Sequence, residues 1–179
     1  FYLDNGKGLA RKNICKFPHE DDTGKTSSIG HHYITYSKHN TVYKSITLID
    51  LAGHEKYLKT TLSGINGTLC DYVMLIIGAN MGVSKMTKEH FNIAKTLNKP
   101  IIIIVTKVDI APKHILDNTI QQIKDILNTE FAGERKPWFI DSEQNAKKSS
   151  KIISTVKNIY PIFLVSNVNG NNISNLKLF

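Results

Sequence analysis

The sequence predicts an α/β fold, a mainly parallel β-sheet covered by helices. Three observations lead there. Apolar, β-branched runs at Ser45 to Leu51, Tyr72 to Ile77 and Ile101 to Thr106 alternate with segments of helical period, the order in which each helix carries the chain back to begin a parallel neighbour. A fourth run, Ile162 to Val165, follows Pro161 and has the composition of a last strand of the same sheet. With 179 residues, 41% of them hydrophobic, the chain is long enough for one substantial core and too short for two ordinary domains, so one domain, residues 1–179, is expected.

Each element has its own warrant. Tyr33 to Ser37 and the run beginning at Ser45 are separated by a polar stretch with His39, Asn40 and Thr41, which reads as an antiparallel hairpin and makes the sheet mixed at one edge. Glu55 to Lys59 open a helix, with Glu55 and Lys59 at the favourable i, i+4 spacing. Lys85 to Leu97 form a helix with Phe91, Ala94 and Leu97 inward, closed by Asn98 and Pro100. From Pro112 to Thr129, Leu116, Ile120, Ile123 and Leu127 recur at spacings of four, three and four and share one helical face, with Pro112 at a first-turn position. Gly133 to Lys151 is polar and charged; it reads as a surface insertion, the least structured part, reaching from about 133 to 158.

Composition excludes several classes. No stretch approaches the ~18 apolar residues of a membrane span, the longest strand-like run being Ile101 to Val105, so a soluble protein without membrane contact is expected. The first residues carry Asp4, Lys7, Arg11 and Lys12 with no apolar block, unlike a signal peptide. Cys15 and Cys70 allow at most one bridge, and reduced thiols in the cytoplasm are expected. A formal charge of +8 favours a polyanion such as RNA or the ribosome. The charge has a plain alternative in compositional drift, since lysine, isoleucine and asparagine are abundant and Arg11 and Arg135 are the only arginines.

The motifs sit at strand ends. Asp50-Leu51-Ala52-Gly53-His54 leaves the C-terminal end of an apolar strand, the edge at which doubly wound sheets bind ligands. In a nucleoside triphosphatase a strand-terminal aspartate holds magnesium through a water, and a glycine lets its N–H approach the terminal phosphate. His54 would then hang over the attacking water. The plain alternative is a strand-to-helix turn, where aspartate and glycine are common.

Thr106-Lys107-Val108-Asp109 closes the next strand but one, with Asp109 lying 59 residues after Asp50. A buried carboxylate at Asp109 can accept the paired N–H donors of guanine, which adenine does not present, and Lys107 can lay its aliphatic stem along base and ribose. An adenine left there costs about 1–3 kcal/mol or more, so at least about tenfold discrimination is expected. Ser166 and Asn167 follow the last strand, and Ser166 with the N–H beyond it can approach the guanine carbonyl and steady Asp109. Taken singly, each of these is also an ordinary strand end or turn.

Gly24-Lys25-Thr26 is not read as a phosphate-binding loop. The motif needs glycine five positions earlier, where His19 stands, and Glu20, Asp21 and Asp22 lead in, so three carboxylates would repel a phosphate. The segment reads instead as a mobile switch in which Ser28 presents a hydroxyl to magnesium.

With these motifs in order the chain resembles the translational GTPases, in the branch of GTP-binding proteins 1 and 2. The resemblance is carried by Leu3 to Arg11, Gly24 to Gly30, Asp50 to Thr61, Gly78-Ala79-Asn80, Met86 to His90, Thr106 to Asp109, and Ser166-Asn167-Val168 followed by Gly170. It implies a P-loop NTPase-type mixed sheet with helices on both faces, and a cytoplasmic, elongation-factor-like enzyme that hydrolyses GTP with Mg2+ and acts on the ribosome, tRNA or other RNA. By position it assigns Asp50 and Gly53 to magnesium and terminal phosphate, Ser28 to magnesium, His54 to the hydrolytic water, and Thr106, Lys107, Asp109, Ser166 and Asn167 to the guanine nucleotide. Thr106 stands where asparagine is commoner in the wider class. The family's first strand and its glycine-rich loop ending in Gly-Lys-Ser or Gly-Lys-Thr belong before the position of Phe1, and its β-barrels after Phe179. The 179 residues contain neither, so a piece of a longer protein is expected. Two other functions fit the same residues: an interaction module without nucleotide chemistry, and a GTPase switch in RNA turnover.

All these assignments rest on one expectation, that Asp109 and the Gly53-His54 pair face a shared pocket along one rim of the sheet.

Overall fold

The computed structural model describes residues 3–5, 17–23, 25–38, 41–129 and 135–179, and the chain divides into two compact units, Ala10–Leu69 on one side and Phe1–Leu9 with Cys70–Phe179 on the other. Asp50, Gly53 and His54 belong to the first unit. Thr106, Lys107, Asp109, Ser166 and Asn167 belong to the second. Cys15 lies outside the described residues, and Cys70 is half-buried.

In the first unit a short helix α1 (Pro18–Thr23) precedes strands β1 (Gly30–Lys38) and β2 (Thr41–Asp50), a 3-10 turn (Glu55–Tyr57) and helix α2 (Leu58–Gly67). The expected hairpin is present and longer than its motif. It pairs antiparallel from Gly30 opposite Asp50 to Lys38 opposite Thr41, with an irregularity at Tyr36/Ser37. Among the described residues it stands as its own two-stranded sheet. Helix α2 buries Thr61, Gly64 and Ile65, positions at i, i+3 and i+4 that share a face. Gly64 is there because a Cβ would come within 2.4 Å of Leu51 Cδ2, and Thr61 Oγ1 donates to the carbonyl of Ala52. Both contacts tie the helix to the chain just past Asp50.

The second unit is built on four parallel strands, β3 (Val73–Gly78), β4 (Ile101–Thr106), β5 (Lys136–Ile140) and β6 (Ile159–Leu164), in the order β3-β4-β6-β5. Helices α3 (Lys85–Thr96), α4 (Lys113–Leu127), α5 (Glu143–Thr155) and α6 (Ile173–Leu178) connect and close it. The order explains which face each helix covers. From β3 to β4 and on to β5 the chain moves across the sheet in one direction, and from β5 back to β6 it reverses. Right-handed crossovers then place the helix of the reversed step on the opposite face. Phe91, Ala94, Ile123 and Leu127 of α3 and α4 accordingly pack with Leu75, Ile77, Ile103, Val105 and Ile162, while Ala146 and Ile153 of α5 pack with Ile102, Ile104 and Phe163 on the other side. Strand β4 is buried from Ile101 through Val105, which is why its sequence is a continuous apolar run rather than an alternating one.

Helices α3 and α4 lie where their periodicity places them. Ser84 caps α3 with a capping box, its hydroxyl accepting from the Thr87 N–H while the Thr87 side chain returns to the Ser84 N–H. Helix α4 reaches back to the β3–α3 loop: Thr119 Oγ1 donates to the Ala79 carbonyl at 3.0 Å, and Gln122 Oε1 accepts from the Val83 N–H at 2.9 Å.

The segment expected as an unstructured insertion is corrected. Its described part forms edge strand β5, parallel to β6, and helix α5, with Ser142 as N-cap. The physical reason is that an edge strand and a half-covered helix need little apolar surface; Ile140, Ala146, Ser149 and Ile153 are the buried positions. Among the described residues no helix is long and apolar enough to cross a membrane.

His90 on α3 has a buried Nε2 without a partner among the described atoms. Burial pushes its pKa below 6.5, against a smaller opposing pull from Glu89. The unfolded chain therefore takes up this proton at a higher pH than the folded one. The resulting stability is whole above about pH 6.5 and is lost as pH falls through the lower folded value. Urea unfolding midpoints of His90→Gln should fall less between pH 7 and pH 5 than those of the parent; an unchanged slope would remove His90 from this role.

Candidate functional site

The second unit brings two of the sequence motifs together. Strands β4 and β6 pair in parallel, Ile103 opposite Ile162 through Val105 opposite Leu164, so their C-terminal loops emerge side by side. This is the point at which the strand order reverses, where open α/β sheets leave a crevice. Backbone bonds extend the pairing into the loops: the Val165 N–H donates to the Val105 carbonyl at 2.8 Å and the Val108 N–H to the Val165 carbonyl at 3.4 Å.

Thr106 Oγ1 is turned toward the sheet, 3.5 Å from the carbonyl of Ile77. Lys107 is left-handed, φ 62°, a conformation a non-glycine residue adopts at a cost and one that often marks functional sites. Its carbonyl receives the N–H groups of Ile110 and Ala111. The resulting tight turn carries Asp109 past the sheet edge, so its carboxylate is exposed and not buried as expected.

Ser166 is fully buried. Its Oγ accepts from the N–H groups of Val168 and Asn169 at 3.2 and 3.3 Å, and its own N–H donates to the Asn171 carbonyl. The hydroxyl is thus committed to folding the loop, and Asn167 is the exposed residue it presents. The Asn167 carbonyl accepts from the Asp4 N–H at 3.0 Å, and Gly170 sits in a left-handed turn whose missing Cβ faces Leu3. The Leu3-Asp4 segment thereby borders the same loop.

In the first unit, Asp50 ends β2. Gly53 is exposed, has no positive φ, and a Cβ there would meet no atom of the described residues within 4 Å, so neither strain nor packing among the described residues calls for glycine. His54 is exposed and N-caps the 3-10 turn, its Nδ1 accepting from the Lys56 N–H at 3.2 Å. A neutral His54 then carries its proton on Nε2 and presents a donor.

The segment before β1 supports the rejection of a phosphate loop: Lys25 to Ile29 runs into a strand and not into a helix. Gly24 itself lies outside the described residues. Glu20 is almost fully buried, and its Oε1 accepts from Ser27 N at 2.7 Å, Ser27 Oγ at 2.8 Å, Ser28 N at 3.3 Å and Ser28 Oγ at 3.4 Å. A carboxylate thus gathers the donors that a loop of this kind would turn to a phosphate. The Ser28 hydroxyl is held by Glu20, while Thr26 Oγ1 lies 3.5 Å from Asp50 Oδ2. Neither Glu20 nor Thr26 stands out in the sequence as a site residue: Glu20 reads there as a repulsive charge and Thr26 as one position of the Gly24 to Gly30 stretch. The one signal in the sequence is the spacing of Glu20 seven and eight residues before the Ser27-Ser28 step.

The Elongation factor Tu GTP binding domain matches residues 4–178. GTP-binding protein 1 of Xenopus laevis is 38% identical over 198 aligned residues, which cover 99% of this chain and 30% of that protein. GTP-binding protein 2 of Homo sapiens is 33% identical over 193, covering 99% and 32%. The chain thus spans about a third of the length of these curated relatives. Translation elongation factor SelB of Methanococcus maripaludis, solved in complex with the GTP analogue GPPNHP, shares the fold with a TM-score of 0.61 at 22% identity, over 98% of this chain and 30% of that one. With nearly the whole chain matched and a P-loop NTPase-type α/β fold in place, the chain belongs to the family of the Elongation factor Tu GTP binding domain.

Proposed function

We propose that these residues read a guanine nucleotide within an elongation-factor-like enzyme that hydrolyses GTP to GDP and phosphate with Mg2+. The observation that carries the reading is the juxtaposition of the Thr106–Asp109 and Ser166–Asn167 loops at the reversal of strand order. Asp109 accepts the two guanine N–H donors, Lys107 covers the base with its stem, Thr106 braces the turn against β3, and Ser166 shapes the loop that presents Asn167. Asp50 and Gly53 serve magnesium and the terminal phosphate. The metal's donor set fits a hard cation that keeps most of its waters, with the Asp50 carboxylate, the Thr26 hydroxyl beside it, and Ser28 once its hydroxyl leaves Glu20. His54 orients the attacking water by donating from Nε2 rather than by accepting its proton. The cytoplasm is the proposed compartment, and the ribosome, tRNA or another RNA the partner.

Calorimetry of the intact protein with GTP and Mg2+ tests the reading; no measurable binding would end it. Asp109→Ala should reduce discrimination of GTP over ATP, measured by competition, from at least about tenfold to near unity. His54→Ala should slow single-turnover hydrolysis by about 100-fold at unchanged GTP affinity, the size of effect of one lost transition-state donor. His54→Gln, which keeps a donor and no base, should recover part of that loss, and equal inactivity of both variants would instead favour a base. Ser166→Ala leaves two N–H groups unpaired and should cost about 1–3 kcal/mol in urea unfolding, with weaker GTP binding as the loop loosens.

A further inference from the structure

We propose that the edge of the four-stranded sheet at which β4, β5 and β6 begin is a binding surface for single-stranded RNA. This deepens the RNA-partner part of the function proposed above and concerns the end of the sheet opposite the Asp109 and Ser166 loops.

The surface is assembled by the parallel topology. All four strands start at one end, and helices α3, α4 and α5 finish there. Lys99 precedes β4, Arg135 and Lys136 open β5, Lys157 precedes β6, and Lys95 lies in the last turn of α3. These cations are contiguous. Arg135 donates to the Lys99 carbonyl and to Asn98 Oδ1, each at 3.3 Å, and lies over the Tyr160 ring at 5.7 Å. The Lys136 N–H donates to the carbonyl of Asn158, the residue after Lys157. Burial, and then the Arg135 guanidinium, lower the pKa of Lys95, so two cations are held close enough to repel.

Among the described residues no ion pair to Arg135 is present, and Lys147–Glu143 on α5 is an ion pair away from this end. Asp71 and Asp125 stand at the same end, and the sequence adds Glu130 and Glu134 between α4 and β5. Lys124 and Lys151, near the ends of α4 and α5, leave the cations in excess. At the opposite end the charges balance: Lys85, Lys88, Lys107, Lys113, Lys147 and Lys148 stand with Asp4, Glu89, Asp109, Asp117, Asp141 and Glu143.

Helix ends account for part of this excess, since a cation in the last turn meets the negative end of the helix dipole. They do not account for Lys99, Arg135, Lys136 and Lys157, which lie outside the helices. Tyr72 turns the charge complementarity toward nucleic acid rather than an acidic protein. It is exposed one residue before β3, where the Val73 N–H bonds the Pro100 carbonyl beside Lys99. Cations along a strand edge with an open aromatic ring suit a phosphate backbone and a stacked base.

The test uses the intact protein and a fluorescent 20-nucleotide oligo-uridine containing 4-thiouridine. Anisotropy between about 50 and 200 mM salt should show Lys99→Glu/Lys136→Glu/Lys157→Glu weakening binding at least about tenfold and flattening the log–log salt slope by about 2, at roughly 0.7 per lost phosphate contact. Tyr72→Ala should weaken binding with the slope unchanged. Photo-cross-links should map to the peptides carrying Tyr72, Lys99 or Arg135. Lys85→Glu/Lys88→Glu at the other end should change RNA binding little. GTP affinity measured on the same variants should stay at the parent value, so failure of the nucleotide reading and failure of this one are separately visible. Cross-links confined to other regions, an unchanged slope in the triple variant, or equal competition by polyglutamate would overturn the proposal.

Discussion

The parallel pairing of β4 with β6 is the constraint on which the second unit depends. Strand β4 is enclosed on both faces, so its backbone groups have no water to turn to and its place in the ladder is obligatory. Placing β6 beside it forces the excursion through α4, β5 and α5, because the chain must overshoot and return. The reversal distributes the helices over the two faces and opens the crevice where the Thr106–Asp109 and Ser166–Asn167 loops emerge. The fold and the proposed recognition site thus share one pair of strands.

Legibility in the sequence followed the strength of the burial pattern. Strand β4 and helix α4 were readable almost to the residue, since Ile101 to Val105 must be apolar throughout and Leu116, Ile120, Ile123 and Leu127 keep strict helical spacing. Strand β5 and helix α5 were not. Lys136-Pro137 opens the strand with a charge and a residue that cannot donate to a ladder, tolerated because this is the sheet's edge. Helix α5 buries Ser149 along with Ala146 and Ile153, a narrow face that composition reports as polar.

The candidate site shows the same limit at finer scale. Residue types and order pointed to a guanine nucleotide, but which groups face outward depended on turn geometry that no spacing encodes. The left-handed Lys107 carries Asp109 into the open, and the hydroxyl of Ser166 turns inward to hold its own loop. Glu20 is the sharper case. As a sequence feature it is one acid among three; in the structure it is a buried acceptor for both Ser27 and Ser28 ahead of β1, so releasing Ser28 to any other partner means leaving a carboxylate with fewer donors.

The bonds from α4 to the β3–α3 loop have a mechanical consequence. Thr119 holds the carbonyl of Ala79 and Gln122 the N–H of Val83 across some forty positions of sequence, while Gly82, in a left-handed turn, makes room for the Gln122 amide. The loop that launches α3 is therefore latched to the helix that follows the Thr106–Asp109 turn. A shift of α4 drags that loop with it or breaks both bonds, so a disturbance at one strand's exit is transmitted sideways to its neighbour's.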